Sequence, residues 1–517
     1  MTHASSGRSA IALAAICLSA LMFGLEISSV PAILPTLEHV LHADFKQLQW
    51  IMNAYTIACT TVLMATGTLA DRYGRKRVFL IGIVAFGVTS LVCGLARDAT
   101  LLIAARFLQG MSGGVMLICQ VAILSHQFRE GRERGMAFGW WGIIFGIGLG
   151  FGPIVGGAIV ALSNWQWVFL VHGVLALLTL GLAIGSVTES RDPEAKSLDV
   201  AGIATLSAAV FCLAYFITQG PDLGFTSPAA QAILGIAVAS FVAFVIAEKI
   251  SRRPMFDFSV FRIRSFSGAL LGSVGMNFSF WPFMIYLPIY FQAGLGYDSV
   301  ATGLALLAYT LPTLVVPPLG EQLALRYRPG LVIPAGLVTI GLGFFLMWIG
   351  SHADQASWLT MLPGCLIAGT GLGLTNTPVT NTTTASVPTE RAGMASGIDM
   401  SARMISLSVN IALMGVILVE GTLSHLRSAL PSLDAAQLRP LAERIAAGNI
   451  TAATQGAADP SSLGAGAGLV HQALVHGFGW VLLFGGIGIW VLAALSFIVF
   501  GAAAPASSPT PCQRASS

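Results

Sequence analysis

Fourteen apolar stretches, each long enough to cross a lipid bilayer as a helix, dominate this 517-residue chain. A transmembrane helix needs about 20 mostly apolar residues. Only 9% of the residues are charged and the mean hydropathy is +0.80, whereas a soluble domain carries about 25% charge. The sequence therefore predicts an all-α integral membrane protein. The stretches lie roughly at residues 11–35, 48–66, 78–96, 100–123, 135–161, 166–186, 199–219, 229–248, 266–292, 299–319, 330–349, 357–382, 393–419 and 475–501.

The positive charges indicate how these stretches are oriented. With the N-terminus in the cytoplasm, nineteen of the 26 Lys and Arg residues fall on the cytoplasmic side. The short outer loops hold only Lys46 and Arg97, and a long outer loop counts little in this rule. Both termini are therefore predicted to be cytoplasmic. The net charge of +3 is too small to indicate a nucleic-acid partner.

The stretches divide into groups of six, two and six. This division predicts an N-terminal six-helix bundle at 1–190, a two-helix insertion with a cytoplasmic linker at 191–262, and a C-terminal six-helix bundle at 263–501. Within the last of these lies the extracytoplasmic loop 420–474, where Leu438, Leu441 and Ile445 indicate a short amphipathic helix. The tail 502–517 is rich in Ala, Pro and Ser and is predicted to be disordered.

A short polar segment between the second and third stretches concentrates charge. Its two glycines permit a tight turn, and its aspartate is suited to cap the following helix or to pair with a cation. The second half holds a weaker counterpart at 320–328, which lacks the aspartate and the second glycine. The residues of the first segment that we single out are Gly67, Asp71, Arg72, Gly74, Arg75 and Arg77.

Two charged side chains lie inside the apolar stretches. Glu26 stands about fifteen residues into the first stretch, roughly 22 Å from its inner end and near the bilayer midplane. A charge at that depth costs about 2.5–3.5 kcal/mol or more. Arg106 lies in the fourth stretch and needs a carboxylate, backbone carbonyls or a wet cavity. We predict that Glu26 binds and releases protons and that Arg106 communicates with it across a central cavity. The alternatives are a neutral, hydrogen-bonded Glu26 and a purely structural Arg106.

The fifth stretch is dense in glycine. Glycine lets two helices approach closely, and Pro153 removes an amide donor and favours a bend. The pattern predicts a bendable helix at a domain interface, suited to rocking between inward-open and outward-open states. The alternative is ordinary glycine-rich helix packing. The residues of this predicted motif are Gly148, Gly152, Pro153, Gly156 and Gly157.

Together these motifs resemble those of the major facilitator superfamily, and in particular its fourteen-span drug:proton antiporter branch. The resemblance covers about residues 10–420 and 475–500. It implies that Arg106 assists proton transfer, that Asp71 pairs with an Arg of the neighbouring bundle to shut the cytoplasmic mouth, and that the fifth-helix motif marks an antiporter. The chain has Glu26 where that branch usually has Asp.

Further candidates are weaker. Asp399 and Arg403, four residues apart on one helix face, form a candidate second charge pair, for which structural pairing and proton transfer both stay open. Large aromatic faces with a few polar groups suit hydrophobic or cationic compounds. The candidate substrate contacts of this kind are Asn53, Tyr55, Trp141, Asn277, Trp281, Tyr286, Asn376 and Asn381.

The sequence lacks a phosphate-binding Gly-Lys-Ser/Thr loop, an HExxH motif and any CxxC pair. We therefore expect no ATP drive, cofactor, metal or enzyme activity. The chain is predicted to be a proton-coupled transporter of the bacterial inner membrane that exports hydrophobic or cationic small molecules. The alternatives are a narrow-specificity exporter of a metabolite or self-made toxin, and a transport-inactive sensor or assembly partner. A periplasmic adaptor as partner stays open.

Overall fold

The computed structural model describes residues 2–43, 45–128, 131–191, 199–250, 258–297, 299–353, 355–431, 433–446, 448 and 466–501. Throughout this part of the chain the regular elements are helices. The first eight are α1 (Thr2–Leu41), α2 (Phe45–Tyr73), α3 (Arg75–Gly94), α4 (Ala99–Gln127), α5 (Gly131–Leu162), α6 (Gln166–Ser186), α7 (Val200–Leu223) and α8 (Pro228–Ile250). The others are α9 (Arg264–Ile289), α10 (Ser299–Thr310), α11 (Pro312–Val315), α12 (Pro317–Tyr327), α13 (Pro329–Ser351), α14 (Trp358–Ala385), α15 (Ala392–Ala429), α16 (Ala435–Ala446) and α17 (Gly466–Phe500).

Among the described residues, twelve helices are long and apolar enough to cross a membrane, and a bent helix pair raises that number to as many as thirteen. The bent pair is α10–α12, which turns by 42° at its break. Pro312 and Pro317 begin α11 and α12 there, where a missing amide hydrogen is tolerated. These membrane-spanning helices account for thirteen of the fourteen predicted stretches. The remaining stretch, 48–66, lies in the more polar helix α2, which packs along α4. The predicted all-α membrane fold is confirmed.

The helices pack as two halves. In the first, α1 packs on α5 and α6, and α4 on α2 and α3. In the second, α13 packs on α14 and α17, and α9 on α14, α15 and α17. The helices α7 and α8 pair with each other, and α7 also lies against α2 and α15. Our domain boundaries stay a prediction, because segments 192–198 and 251–257 lie outside the described residues.

The two halves meet closely at one end, which we call the basic end because the segment 71–77, Arg134 and Arg326 lie there. A Cβ atom on Gly67 of α2 would lie 2.5 Å from the carbonyl oxygen of Gly393 in α15. One on Gly142 of α5 would lie 2.6 Å from a hydroxyl oxygen of α14. Because helix backbones touch here, the interface is closed at the basic end.

The counterpart segment 320–328 retains one feature of the first segment. Gly74, between α2 and α3, has φ of 107°, and Arg328, between α12 and α13, has φ of 84°. A side chain in this region is uncommon and strained, so the turn is preserved although its glycine is not.

The predicted outer loop 420–474 contains helical continuations at both of its ends. Helix α15 continues to Ala429 and α17 already begins at Gly466, because the two helices stay packed beyond their apolar stretches, for example at Gly421 against Gly477. The predicted amphipathic helix is present as α16, whose Leu438 and Ile445 are buried in the core of the second half. Residues 449–465 and the tail 502–517, predicted to be disordered, lie outside the described residues.

Candidate functional site

Helix α1 places Glu26 in the interior of the first half, where its side chain is 0% exposed. Nη1 of Arg106, on α4, donates a hydrogen bond to its Oε1 atom. Nδ1 of His172, on α6, lies 3.3 Å from its Oε2 atom. The carboxyl group is thus enclosed between a permanent cation and an imidazole and does not face lipid. The two charges meet directly inside the first half, so our expectation of communication across a central cavity is corrected.

Arg106 is held in place by several groups. Its Nε donates to the carbonyl oxygen of Ile51 at 3.0 Å, and its Nη1 donates to Oε1 of Gln109 at 2.8 Å. The amide of Gln109 in turn donates to Oγ of Ser90 at 2.8 Å. The guanidinium carbon lies 4.4 Å from the centre of the Tyr55 ring, a cation–π contact. This network keeps the charged pair in one geometry and satisfies the buried cation.

His172 is the member of this site that the sequence analysis missed. It is 1% exposed, its ring packs edge-on against Phe86 at 5.8 Å, and its Nδ1 lies 3.0 Å from the carbonyl oxygen of Val168. Its Nε2 atom has no hydrogen-bond partner within the described residues. Its position inside an apolar stretch could have identified it from the sequence, because ionisable residues within a membrane helix are costly and are often functional.

Asp71 links the two halves at the basic end. Its Oδ1 accepts hydrogen bonds from Nε and Nη2 of Arg75 at 2.9 and 2.8 Å, and its Oδ2 accepts one from the backbone N–H of Met394 at 3.1 Å. Met394 lies in the first turn of α15, where a negative charge is favoured by the helix dipole. The same Arg75 also donates from Nη2 to the carbonyl oxygen of Thr389 at 2.7 Å. Asp71 thus engages a helix N-terminus of the second half, with its cation supplied from its own segment.

The other residues of this segment have separate positions. Gly74 forms the turn, whereas Gly67 lies within α2 and serves close contact with α15 instead of the turn that we predicted. Arg72 is half-buried with its guanidinium 5.1 Å from the Tyr73 ring, and Arg77 is exposed. Helix α3 is capped by Glu189, whose carboxylate accepts the backbone N–H groups of residues 76 and 77 at 3.0 and 3.1 Å.

The glycines of α5 divide between two helix faces. Cβ atoms on Gly148, Gly152 and Gly156 would lie within 1.8–2.9 Å of α1 atoms, and Oγ of Ser28 donates to the carbonyl oxygen of Gly148 at 2.9 Å. This part of the motif therefore forms a seam within the first half. Gly157 does not contribute, because nothing lies within 4 Å of its added Cβ.

The opposite face of α5 forms the interface between the halves. There the added Cβ atom of Gly146 would lie 3.2 Å from Leu314 and that of Gly150 would lie 3.4 Å from Thr310. Pro153 is exposed within α5. Helix α5 thus packs against α1 on one face and against α10 and α11 of the second half on the other.

The predicted substrate contacts are dispersed. Trp281 and Asn376 line a narrow cavity between the halves together with Phe145, and Asn53 is half-buried in α2. Four other candidates are buried and hydrogen-bonded or stacked on protein groups: Tyr55 on Arg106, Trp141 to Gln120, Asn277 to the carbonyl of Ser273, and Tyr286 to the carbonyl of Ile411. Asn381 is half-buried and hydrogen-bonded to Arg134 and Glu321. With the basic end closed, only two of the eight reach the interface cavity.

Asp399 and Arg403 form a second buried ion pair, with Nη2 of Arg403 lying 3.2 Å from Oδ2 of Asp399. Ser273 donates a hydrogen bond to the carboxylate, while Arg403 donates to Oδ1 of Asn376 at 2.6 Å and to Oγ1 of Thr380 at 2.7 Å. The pair therefore ties α15 to α9 and α14. Because Asn376 also lines the interface cavity, this network lies one side chain away from it.

Two helical halves that meet at an interface, each enclosing a buried ion pair, are the architecture of a secondary transporter built from repeated bundles. The chain belongs to the Major Facilitator Superfamily, whose family model matches residues 16–409. The family and the fold are those of transporters.

Curated relatives cover most of the chain. It is 32% identical over 439 residues to the multidrug resistance protein Stp of Mycobacterium tuberculosis, covering 84% of this chain and 81% of the relative. It is 30% identical over 521 residues to the tetracenomycin C resistance and export protein of Streptomyces glaucescens, covering 98% and 96%. It is 28% identical over 406 residues to the quinolone resistance protein NorB of Staphylococcus aureus, covering 78% and 87%.

Solved structures show the same fold. The proton:xylose symporter XylE matches with a TM-score of 0.58 and 16% identity, covering 96% of this chain and 97% of that one. The human organic anion transporter MFSD10 matches with a TM-score of 0.57 and 13% identity, covering 95% and 99%.

Proposed function

We propose that this protein is a drug:proton antiporter that exports hydrophobic or cationic small molecules by alternating access. The observation that carries the proposal is the fully buried Glu26, held between Arg106 and His172. A carboxyl enclosed in this way changes partners when it binds a proton, because the neutral acid no longer balances the guanidinium charge. The names of the relatives support export of drugs. Trp281 and Phe145, which face each other's half at the interface, are side chains of the kind that contact such compounds.

In the proposed cycle the basic end faces the cytoplasm, and the arrangement described above is the one closed to that side. From the outside a proton reaches Glu26, weakens its ion pair with Arg106, and substrate leaves. After the basic end opens, the proton departs to the cytoplasm and substrate enters from the cytoplasm or the inner leaflet. The proton gradient supplies the energy without a bound cofactor.

We further propose that the protein lies in the bacterial cytoplasmic membrane with both termini inside. The cationic basic end supports this orientation, since cytoplasmic loops carry an excess of Lys and Arg. A periplasmic adaptor partner stays a prediction.

The test replaces Glu26 by Gln, which keeps the size of the side chain and removes its proton exchange. Purified full-length protein is reconstituted in proteoliposomes, a pH gradient is imposed, and efflux of a panel of fluorescent dyes is followed. Glu26→Gln should abolish gradient-driven efflux while dye binding, measured by fluorescence anisotropy, is retained. The panel also separates broad export from a narrow-specificity exporter, which would respond to one compound only.

Two variants serve as controls. Glu26→Asp retains a titratable carboxyl and should keep coupled efflux. Glu443→Gln makes the same chemical change on α16, where the side chain is 55% exposed, and should leave efflux unchanged. Coupled efflux by Glu26→Gln at the wild-type rate would remove this residue from the mechanism.

A further inference from the structure

A second carboxyl group, Glu321 on α12, is buried where the two halves meet. It is 3% exposed, and a Cβ atom on Gly135 of α5 would lie 2.9 Å from its Cγ atom. Its Oε1 accepts a hydrogen bond from Nδ2 of Asn381 on α14. Its Oε2 has no hydrogen-bond partner within the residues that the structure describes. A single amide donor is therefore the direct support of this carboxyl group.

The cation that acts on this carboxyl group belongs to the other half. Arg134 on α5 donates from Nε to Oδ1 of Asn381, and from Nη2 to Oγ1 of Thr384 at 2.8 Å. The side-chain amide of Asn381 thus stands between the guanidinium and the carboxyl group, which form no direct ion pair within 4.0 Å in the described part of the chain. Among the described residues of the helices packed against α12, Arg134 is the one charged group that acts on Glu321.

This arrangement cannot survive opening of the basic end. The backbone of α5 covers Glu321, and the hydrogen bonds that Arg134 donates to Asn381 and Thr384 connect α5 to the second half. Separation of the halves therefore exposes Glu321 and Arg134 to water. Burial of an ionised carboxylate without a directly bonded cation is costly, whereas burial of the neutral acid costs much less. Proton binding should therefore favour the closed form, and ionisation should favour the open form.

We propose that Glu321 is a second proton-binding site, separate from Glu26, which holds a proton while the basic end is closed and releases it to water when that end opens. The neutral carboxyl becomes a carboxylate, and its proton passes to a water molecule of the opened vestibule. This proposal rests on alternating access in the proposed function, but it does not require Glu26 to carry a proton. It assigns a role to the segment 320–328. This segment lacks the aspartate of the first-half motif but carries Glu321 directly after its glycine.

The test measures the distance between the two halves as a function of pH. Tyr73 at the end of α2 and Tyr327 at the end of α12 are 47% and 52% exposed, so p-acetylphenylalanine at both positions can carry ketone-reactive spin labels. The full-length protein is placed in lipid nanodiscs without substrate or gradient, and pulsed electron paramagnetic resonance gives the populations of closed and open forms from pH 5 to 9. In the wild type the ratio of closed to open protein should fall with rising pH, by up to about tenfold per pH unit over the window in which Glu321 titrates.

Glu321→Gln should make the ratio independent of pH and keep the closed form predominant, because glutamine accepts the same hydrogen bond without charge. Glu133→Gln alters an exposed glutamate on α5, next to Arg134, and should keep the wild-type response. If Glu321→Gln does not fold, the pH dependence of the distance in Asn381→Leu provides a second test. This substitution removes the donor to the carboxylate and should move the pH response to higher pH.

Two results would overturn the proposal: a wild-type ratio that does not change with pH, or a response that persists in Glu321→Gln. The same measurement on Glu26→Gln separates this proposal from the proposed function. That variant should keep the pH-dependent distance while it loses gradient-driven efflux. Loss of efflux with a flat wild-type distance response would refute the role of Glu321 alone.

Discussion

Replacement of Arg106 by Gln should destabilise the protein more than replacement of both members of its ion pair. The guanidinium bonds to Glu26, to the carbonyl oxygen of Ile51 and to Gln109. Without it, a carboxylate with 0% exposure has lost its cation, a loss that costs about 3–5 kcal/mol for buried pairs. In the double variant Glu26→Gln/Arg106→Gln, amides replace both charges, so the remaining loss is that of neutral hydrogen bonds, about 1–2 kcal/mol.

The assay is a double-mutant cycle on the free energy of unfolding, measured by steric trapping in lipid bicelles. The two single variants and the double variant should show a coupling energy of at least about 2 kcal/mol, or roughly thirtyfold in the unfolding equilibrium. Simple addition of the two single losses in the double variant would refute the inference that the pair is stabilised as a unit.

Two further predictions test the neighbouring contacts. Gly152→Ala drives a methyl group into Oγ of Ser28 and should cost about 1–3 kcal/mol of stability. Gly157→Ala, where the space is open, should cause no loss and raise stability by up to about 1 kcal/mol, because alanine favours a helix more than glycine does. Thermal unfolding compares the two variants. His172→Phe keeps an aromatic ring and removes both ring nitrogens; it should reduce gradient-driven efflux severalfold and leave dye binding unchanged. Wild-type efflux in this variant would show that the imidazole only fills space.

The sequence was informative wherever a property belongs to one segment of the chain. Length and apolar composition located the membrane helices, and a helix in lipid forms regardless of its neighbours because its backbone bonds are internal. The same reasoning marked Glu26 and Arg106, because a charge inside an apolar stretch is costly whatever surrounds it. The amphipathic helix α16 was also predicted correctly, because the period of 3.6 residues depends only on neighbouring positions in the sequence.

The sequence was less informative about partners. It indicated that Asp71 needs a cation, but the second half supplies a backbone N–H of Met394, which no side-chain pattern can reveal. It assigned Asn381 to substrate, whereas the folded protein places this amide between Arg134 and Glu321.

The sequence by itself thus determined where the membrane helices lie and roughly how many there are. It also identified Glu26 and Arg106 as charged residues inside membrane helices. Only the tertiary structure decided that these two charges form an ion pair and that His172 lies beside the buried Glu26. It also decided how the glycines of α5 divide between two helix faces. The physical reason is one of range. The transfer free energy of a segment depends on its own residues, whereas the contact between Glu26 and Arg106 joins positions 80 residues apart through the packing of several helices.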